Sequence, residues 1–294
     1  MKPLKELPIL CLPFRAMKEI SKGMHSIIKM MSNRKNNKFP ILRLPFLAIE
    51  EIFKTMHPIE IINFSMISKR TRTVAKSMSF YSKYSIDLSV ANSTLHIGLY
   101  GTKESVSCTY VMTSDEKMNG KSEGKVEKWK QLCIRLLKTF NKQTIDILFM
   151  QMDADVDNSV SFIDFLKTNV KSVNECYLHQ WDHQYNVDED FAYLLNNITI
   201  NSTLSFFLNI KNEKFDGKIP KNLNNLYIKN SEWIGYKRLL EIDCKSVILE
   251  KNRISDEQWN LFIKKWIAME THLNLEYLHP RRQRFRKIQS TRIA

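Results

Sequence analysis

The residues of this chain best spaced for chemistry are Asp153, Asp155, Asp157, Ser159, Ser161 and Asp164, which fall at positions 1, 3, 5, 7, 9 and 12 of a loop. Oxygen ligands in that rhythm can wrap a calcium ion. Two residues spoil the pattern. Asn158 stands where glycine makes the sharp turn, and Asp164 replaces the longer glutamate that closes such a site with both oxygens. The stretch is expected instead to be an acidic strand-to-helix loop, with Asp157 or Ser159 capping the helix that follows. His179, Trp181, Asp182 and His183 form a compact histidine cluster, yet a third and a fourth metal ligand are missing nearby. Glu50, Glu51 and Glu60 are expected on the solvated faces of helices rather than as acid-base pairs. The sequence holds no Gly-rich phosphate loop, GxSxG elbow or HExxH, and seven glycines leave little backbone to cradle a phosphate. The expectation is therefore a chain with no catalytic residue, no metal and no cofactor.

The chemistry that remains is that of apolar surface. Residues 44–70 read LPFLAIEEIFKTMHPIEIINFSMISKR. Ile49, Ile52, Phe53 and Met56 recur at the three-and-four spacing of an amphipathic helix beginning at Pro45. Pro58 restarts the chain, and Ile59, Ile61, Ile62, Phe64, Met66 and Ile67 make the next helix apolar nearly all round. So short a unit cannot bury that much apolar surface internally, so a partner surface is required.

Leu44-Pro45, then Ile49 and Ile52, the break at His57-Pro58, the pair Ile61-Ile62 and the closing Ile67-Ser68-Lys69-Arg70 resemble the F-box. The resemblance implies a three-helix module that docks on a Skp1-like adaptor and, through it, on a cullin, bringing a substrate receptor to a ubiquitin ligase. It implies contact through Leu44, Pro45, Ile49, Ile52, Phe53, Pro58, Ile59 and Ile62. Where many F-boxes carry an aromatic after the Ser-Lys pair, this chain has Thr71 and Thr73. Residues 7–25 repeat residues 39–57 at 12 of 19 positions, with an offset of 32, and then lose the second helix. That copy is expected to be a relic; a working one would compete through Leu12, Pro13, Met17 and Ile20.

The net charge of +14 lies at the ends. Residues 1–90 carry 16 basic and 6 acidic side chains, residues 281–294 carry six basic and none acidic, and the middle of the chain sums to −2. A nucleic-acid surface is therefore disfavoured. Five widely spaced cysteines, Cys11, Cys108, Cys133, Cys176 and Cys244, contain no CxxC pair and suit a reducing compartment. No apolar run reaches the length of a membrane span, so an intracellular protein of cytoplasm or nucleus is expected.

Beyond the module, Ile86, Leu88 and Val90, then Leu95, Ile97 and Leu99, then Val106, Cys108, Tyr110 and Met112 alternate with polar residues, which predicts a three-stranded antiparallel meander. Residues 113–125 read as a loop, and Trp129, Leu132, Cys133, Leu136, Leu137 and Phe140 as one face of a helix over 126–140. Apolar runs then recur at 145, 175, 203, 225, 246 and 275, near the spacing of leucine-rich repeats, with helices between them at 162–169, 190–197 and 256–269. Trp266-Ile267 leading to Leu275-Glu276-Tyr277-Leu278, with Ser231-Glu232-Trp233 and Leu239-Leu240 upstream, resemble the F-box-associated type 2 domain of a family expanded in nematodes. In that family the domain is taken to recruit the substrate.

The expected fold class is α+β: a partial F-box-like copy and linker over 1–38, the F-box over 39–77, the meander and loop over 78–125, an irregular leucine-rich-repeat-like strand-helix stack over 126–280, and a basic tail over 281–294. The expected function is that of a substrate-recognition adaptor of a cullin-type ubiquitin ligase with an unknown protein substrate. Two other classes compete: a helix-turn-helix nucleic-acid-binding protein using Arg70 and Arg72, and a protein-interaction scaffold outside any ligase.

Overall fold

The computed structural model describes residues 41–78, 84–91, 94–101, 108–113, 123–154, 156–212 and 215–281. The partial copy at 7–25, the tail beyond Arg281 and Asp155 of the acidic loop lie outside the described residues. Among the described residues no helix is long and apolar enough to cross a membrane. The chain divides into two compact units, residues 1–52 and 53–294.

In the first unit a 3-10 turn, Ile41–Arg43, leads to Pro45, after which helix α1 runs over Phe46–Thr55. The Pro45 carbonyl accepts the N–H groups of Ala48 (3.0 Å) and Ile49 (3.1 Å), so a residue unable to donate sits where the helix leaves donors unpaired anyway. Glu51 is exposed, whereas Glu50 is only 8% exposed, against the expectation of a solvated face.

The second unit opens with helices α2 (Pro58–Ile67) and α3 (Lys69–Lys76). Both begin with a capping box. The His57 N–H donates to the Glu60 carboxylate (2.8 Å) while its ring Nδ1 accepts from Ile59 N–H (3.3 Å). At α3 the Ser68 hydroxyl accepts from Thr71 N–H (3.1 Å), and the Thr71 hydroxyl oxygen accepts from Ser68 N–H (2.9 Å). Thr71 is thus buried as half of a cap. Helix α4 (Glu123–Thr139) packs against α2 and α3. The Ser65 and Thr139 hydroxyls meet at 3.2 Å in that interface, and Arg135 reaches the Met66 sulfur at 3.5 Å. Part of the cover for α2 therefore comes from the chain itself.

Among the described residues nine strands form one sheet, in order β3-β2-β1-β4-β5-β6-β7-β8-β9. Strands β1 (Ser85–Ala91), β2 (Thr94–Tyr100) and β3 (Cys108–Thr113) pair antiparallel. Strand β1 also pairs parallel with β4 (Thr144–Gln151), and the sheet continues parallel through β5 (Ser172–His179), β6 (Ile200–Phe207), β7 (Leu223–Ile228), β8 (Cys244–Glu250) and β9 (Tyr277–Arg281). Helices α5 (Val156–Asn169), α6 (Asp188–Asn197), α7 (Tyr236–Glu241) and α8 (Asp256–Ile267) lie in the connections, where parallel neighbours need a crossover.

Period two explains which face the helices take. Leu148 and Met150, Cys176 and Leu178, Leu204 and Phe206, Leu226 and Ile228, Val247 and Leu249 are buried on β4–β8, as are Phe162, Leu166, Phe191, Leu194, Leu239 and Phe262 from the helices. Aromatic contacts run through this layer: Trp129 meets Phe162 edge-on at 5.5 Å, Phe191 lies 4.7 Å from Phe206, and Phe215 meets Trp233 at 5.0 Å. The alternate residues Phe149, Tyr177, Phe207, Tyr227 and Ile248 are only half-buried, so the other face of the sheet is left more open by the described residues.

Candidate functional site

The residues expected to meet a partner divide by burial. In the first unit Pro45 is exposed, Leu44 and Ile52 are half-buried and Ile49 is buried. In the second, Ile59 is half-buried, while Phe53, Pro58 and Ile62 are buried. Phe53 meets the Phe64 ring edge-on at 5.1 Å. On these helices the large apolar side chains left most open lie outside the expected contact set: Phe46 (47% exposed) and Leu47 (73%) on α1, which the spacing argument passed over, and Met66 (44%) and Ile67 (72%) at the end of α2, which it counted in the apolar helix. The signal for the second pair was in the sequence, because a helix apolar all round cannot turn every side chain inward. Each pair is adjacent in sequence, and exposed apolar side chains grouped in this way suit an interaction surface on their own unit.

The open sheet face is the second candidate. Register aligns Phe149, Tyr177, Ser205, Tyr227, Ile248 and His279 in one row across the strands, with Gln151, His179 and Phe207 in the next. His179 stacks on Phe207 at 4.4 Å and lies 5.0 Å from Phe149; Phe207 lies 5.2 Å from Tyr227, and the Lys229 ammonium sits 4.7 Å above its ring. Burial, with Lys229 adding to it, holds the His179 imidazole below its ordinary value. The ring therefore works here as a neutral aromatic. At the N-terminal end of the strands, burial and the neighbouring carboxylates Asp146 and Glu175 push Asp87 up to about 6, against the Ser85 hydroxyl donated to it at 2.9 Å.

The C-terminal ends of β5–β8 carry a third feature, a cleft of about 560 Å³ lined by His183, Asn209, Lys211, Asn230, Glu232, Trp233, Lys251 and Arg253 among others. Buried polar side chains pin its loops to the backbone of the next strand connection. Asp188 accepts the N–H groups of Lys211 (3.1 Å) and Asn212 (2.7 Å), Gln180 accepts that of Asn209 (2.9 Å), and the Ser231 hydroxyl donates to the Glu250 carbonyl (2.7 Å).

Little else on the described surface offers covalent or metal chemistry. Asp153, the first residue of the calcium-like spacing, accepts the N–H groups of Trp181 (2.9 Å) and Asp182, which is a loop-pinning task. His179 is taken up in its ring stack, and His183 lines the cleft. Among the described residues no group of three or more His, Cys, Asp or Glu could hold a metal ion. Burial pushes the Cys176 and Cys244 thiols up to about 12 and raises Cys133 as well, so these cysteines are packing residues.

Two family models match parts of the chain. Residues 41–83 match the F-box domain model, and residues 214–279 match the model described as F-box associated. No curated protein matches the chain. An F-box implies an adaptor role in a ubiquitin ligase, carried out by protein–protein contact, and both matched families are interaction domains.

Proposed function

We propose that this chain is the substrate-recognition adaptor of a cullin-type ubiquitin ligase, with an F-box over 39–77 that docks on a Skp1-like adaptor. The body over 126–280, read as a leucine-rich-repeat-like stack beside the antiparallel meander of 78–125, receives a protein substrate. The observation that carries this reading is the set of large apolar side chains left open on α1 and α2 within the F-box match. In the first unit Leu44, Pro45 and Ile52 would meet the Skp1-like adaptor with Phe46 and Leu47; in the second, Ile59 would do so with Met66 and Ile67. Ile49 in the first unit and Phe53, Pro58 and Ile62 in the second are buried and would serve the packing of their own unit. The protein's own part is binding and positioning; ubiquitin transfer belongs to other subunits, in cytoplasm or nucleus.

Apolar anchors at the centre of an interface cost about 2 kcal/mol or more each on truncation. The Leu44→Ala, Pro45→Ala double variant should therefore lose capture of the Skp1-like adaptor by at least ~30-fold in a pull-down or calorimetric titration. Full-strength binding by that variant would remove the proposed interface. A nucleic-acid reading rests on the exposed bases Lys69, Arg72 and Lys76 of α3. It predicts binding to duplex DNA that falls steeply with salt, and a gel shift decides it.

A further inference from the structure

The cleft at the C-terminal ends of β5–β8 has a charge balance unlike that of the body around it. Three cations, Lys211, Lys251 and Arg253, line it with one carboxylate, Glu232. That carboxylate is already held by Arg253 at 2.6 Å, so the two lysines are left in excess. Lys211 is held in place by donating its ammonium to the Gln184 carbonyl (2.7 Å), while its backbone N–H is fixed on the buried Asp188. The charged part of the wall is thus predominantly cationic.

Lys251 carries a second sign. Its φ is +54°, in the left-handed region that glycine or asparagine adopts more cheaply than a lysine. Backbone strain of this kind persists where the surroundings hold it, and it clusters at binding sites. Here it sits at a lysine that lines the cleft.

The open sheet face begins where the cleft ends. Asn209 lies two residues beyond Phe207, Asn230 one beyond Lys229, and Lys251 one beyond Glu250, so the aromatic stripe of Phe149, His179, Phe207 and Tyr227 leads along the strands to the basic rim. Trp181 and Tyr185, both exposed, flank His183 on the loop above. An occupant must therefore bring negative charge and apolar side chains together, and be narrow enough to lie across strand ends.

We propose that this cleft, with its adjoining aromatic stripe, receives an acidic peptide segment, in which Asp or Glu carboxylates meet Lys211 and Lys251 and neighbouring apolar side chains lie on the stripe. The inference rests on the reading of the body as the substrate-binding part and names the class of segment it takes. Carboxylates suit it better than phosphates. The one guanidinium fork that could grip a phosphate with two parallel bonds is engaged by Glu232, and that carboxylate would repel a dianion more than a single negative charge.

A library of random 12-residue peptides, selected against the full chain bound to its Skp1-like adaptor, tests this. Selected sequences should be enriched in Asp and Glu beside Leu, Phe or Tyr, and their binding should weaken at least tenfold in a Lys211→Gln, Lys251→Gly double variant. Lys251→Gly alone should keep or raise the melting temperature while weakening binding, which a merely structural lysine would not do. Enrichment in basic or uncharged peptides, or unchanged binding by the double variant, would overturn the proposal. So would synthetic copies that bind only when a phosphoserine replaces the acidic residue. Adaptor capture, measured on the same samples, separates this failure from a failure of the ligase reading.

Discussion

Thr71 and Asp87 show how much one side chain can carry. Thr71 closes a cap with Ser68, so the value of its hydroxyl lies in satisfying the Ser68 N–H at the start of α3, while the Ser68 hydroxyl satisfies the N–H of Thr71. A Thr71→Ala change should cost about 1 kcal/mol, visible as a lower chemical-denaturation midpoint, whereas Thr73→Ala, on an exposed side chain bonded only to Lys69 O, should cost less. Asp87 acts in the opposite sense. Its folded-state value is raised from 3.8 to about 6, chiefly by burial, so the native state holds a proton that the unfolded chain has released. Its contribution is therefore favourable at low pH and is lost as pH rises between those two values. Asp87→Asn should raise the melting temperature at pH 7.5, leave it nearly unchanged at pH 4, and flatten the profile between. Equal effects at both pH values would show that the carboxyl is not perturbed by its surroundings.

At the scale of elements, the end of α2 separates docking from folding. Ile67 is 72% exposed, so Ile67→Asp should leave stability within about 0.5 kcal/mol of the parent while weakening capture of the Skp1-like adaptor. Phe53→Ala should behave differently, costing about 3–5 kcal/mol of stability because a buried ring against Phe64 is removed. Circular dichroism melts beside a binding titration tell the two apart. The elements themselves were largely legible. Proline at the start of α2, Ser68 before α3 and Ser255 before α8 punctuate the chain by local hydrogen bonding, and the apolar runs at 145, 175, 203, 225, 246 and 275 coincide with β4–β9. What was hidden depends on distant residues. Nothing local to 85–91 says that it pairs parallel with β4, 60 residues on, and nothing near Glu50 says that it is buried. The cleft was equally invisible, since Lys211, Lys251 and Arg253 are separated in sequence and meet only because successive strands end at one rim.

For the molecule as a whole, the packing of α2 and α3 on α4 would join the proposed docking to the stability of the body. The Ser65–Thr139 contact sits in that interface with both side chains buried, so separating the two parts would leave both hydroxyls without this partner. A ligand that binds only the native state stabilises whatever unfolds cooperatively with its site, by about 2.7 kcal/mol at one hundred times the dissociation constant. If the F-box helices and the body unfold together, a saturating Skp1-like adaptor should raise a single transition of the full chain by about 5 °C or more. Thr139→Arg, which forces a long cation into the α2–α4 interface, should split that transition in two and leave the body's part unmoved by the adaptor. A wild-type body whose melting ignores saturating adaptor would mean that α4 is a passive shelf. Docking and substrate binding would then be linked only through their shared chain.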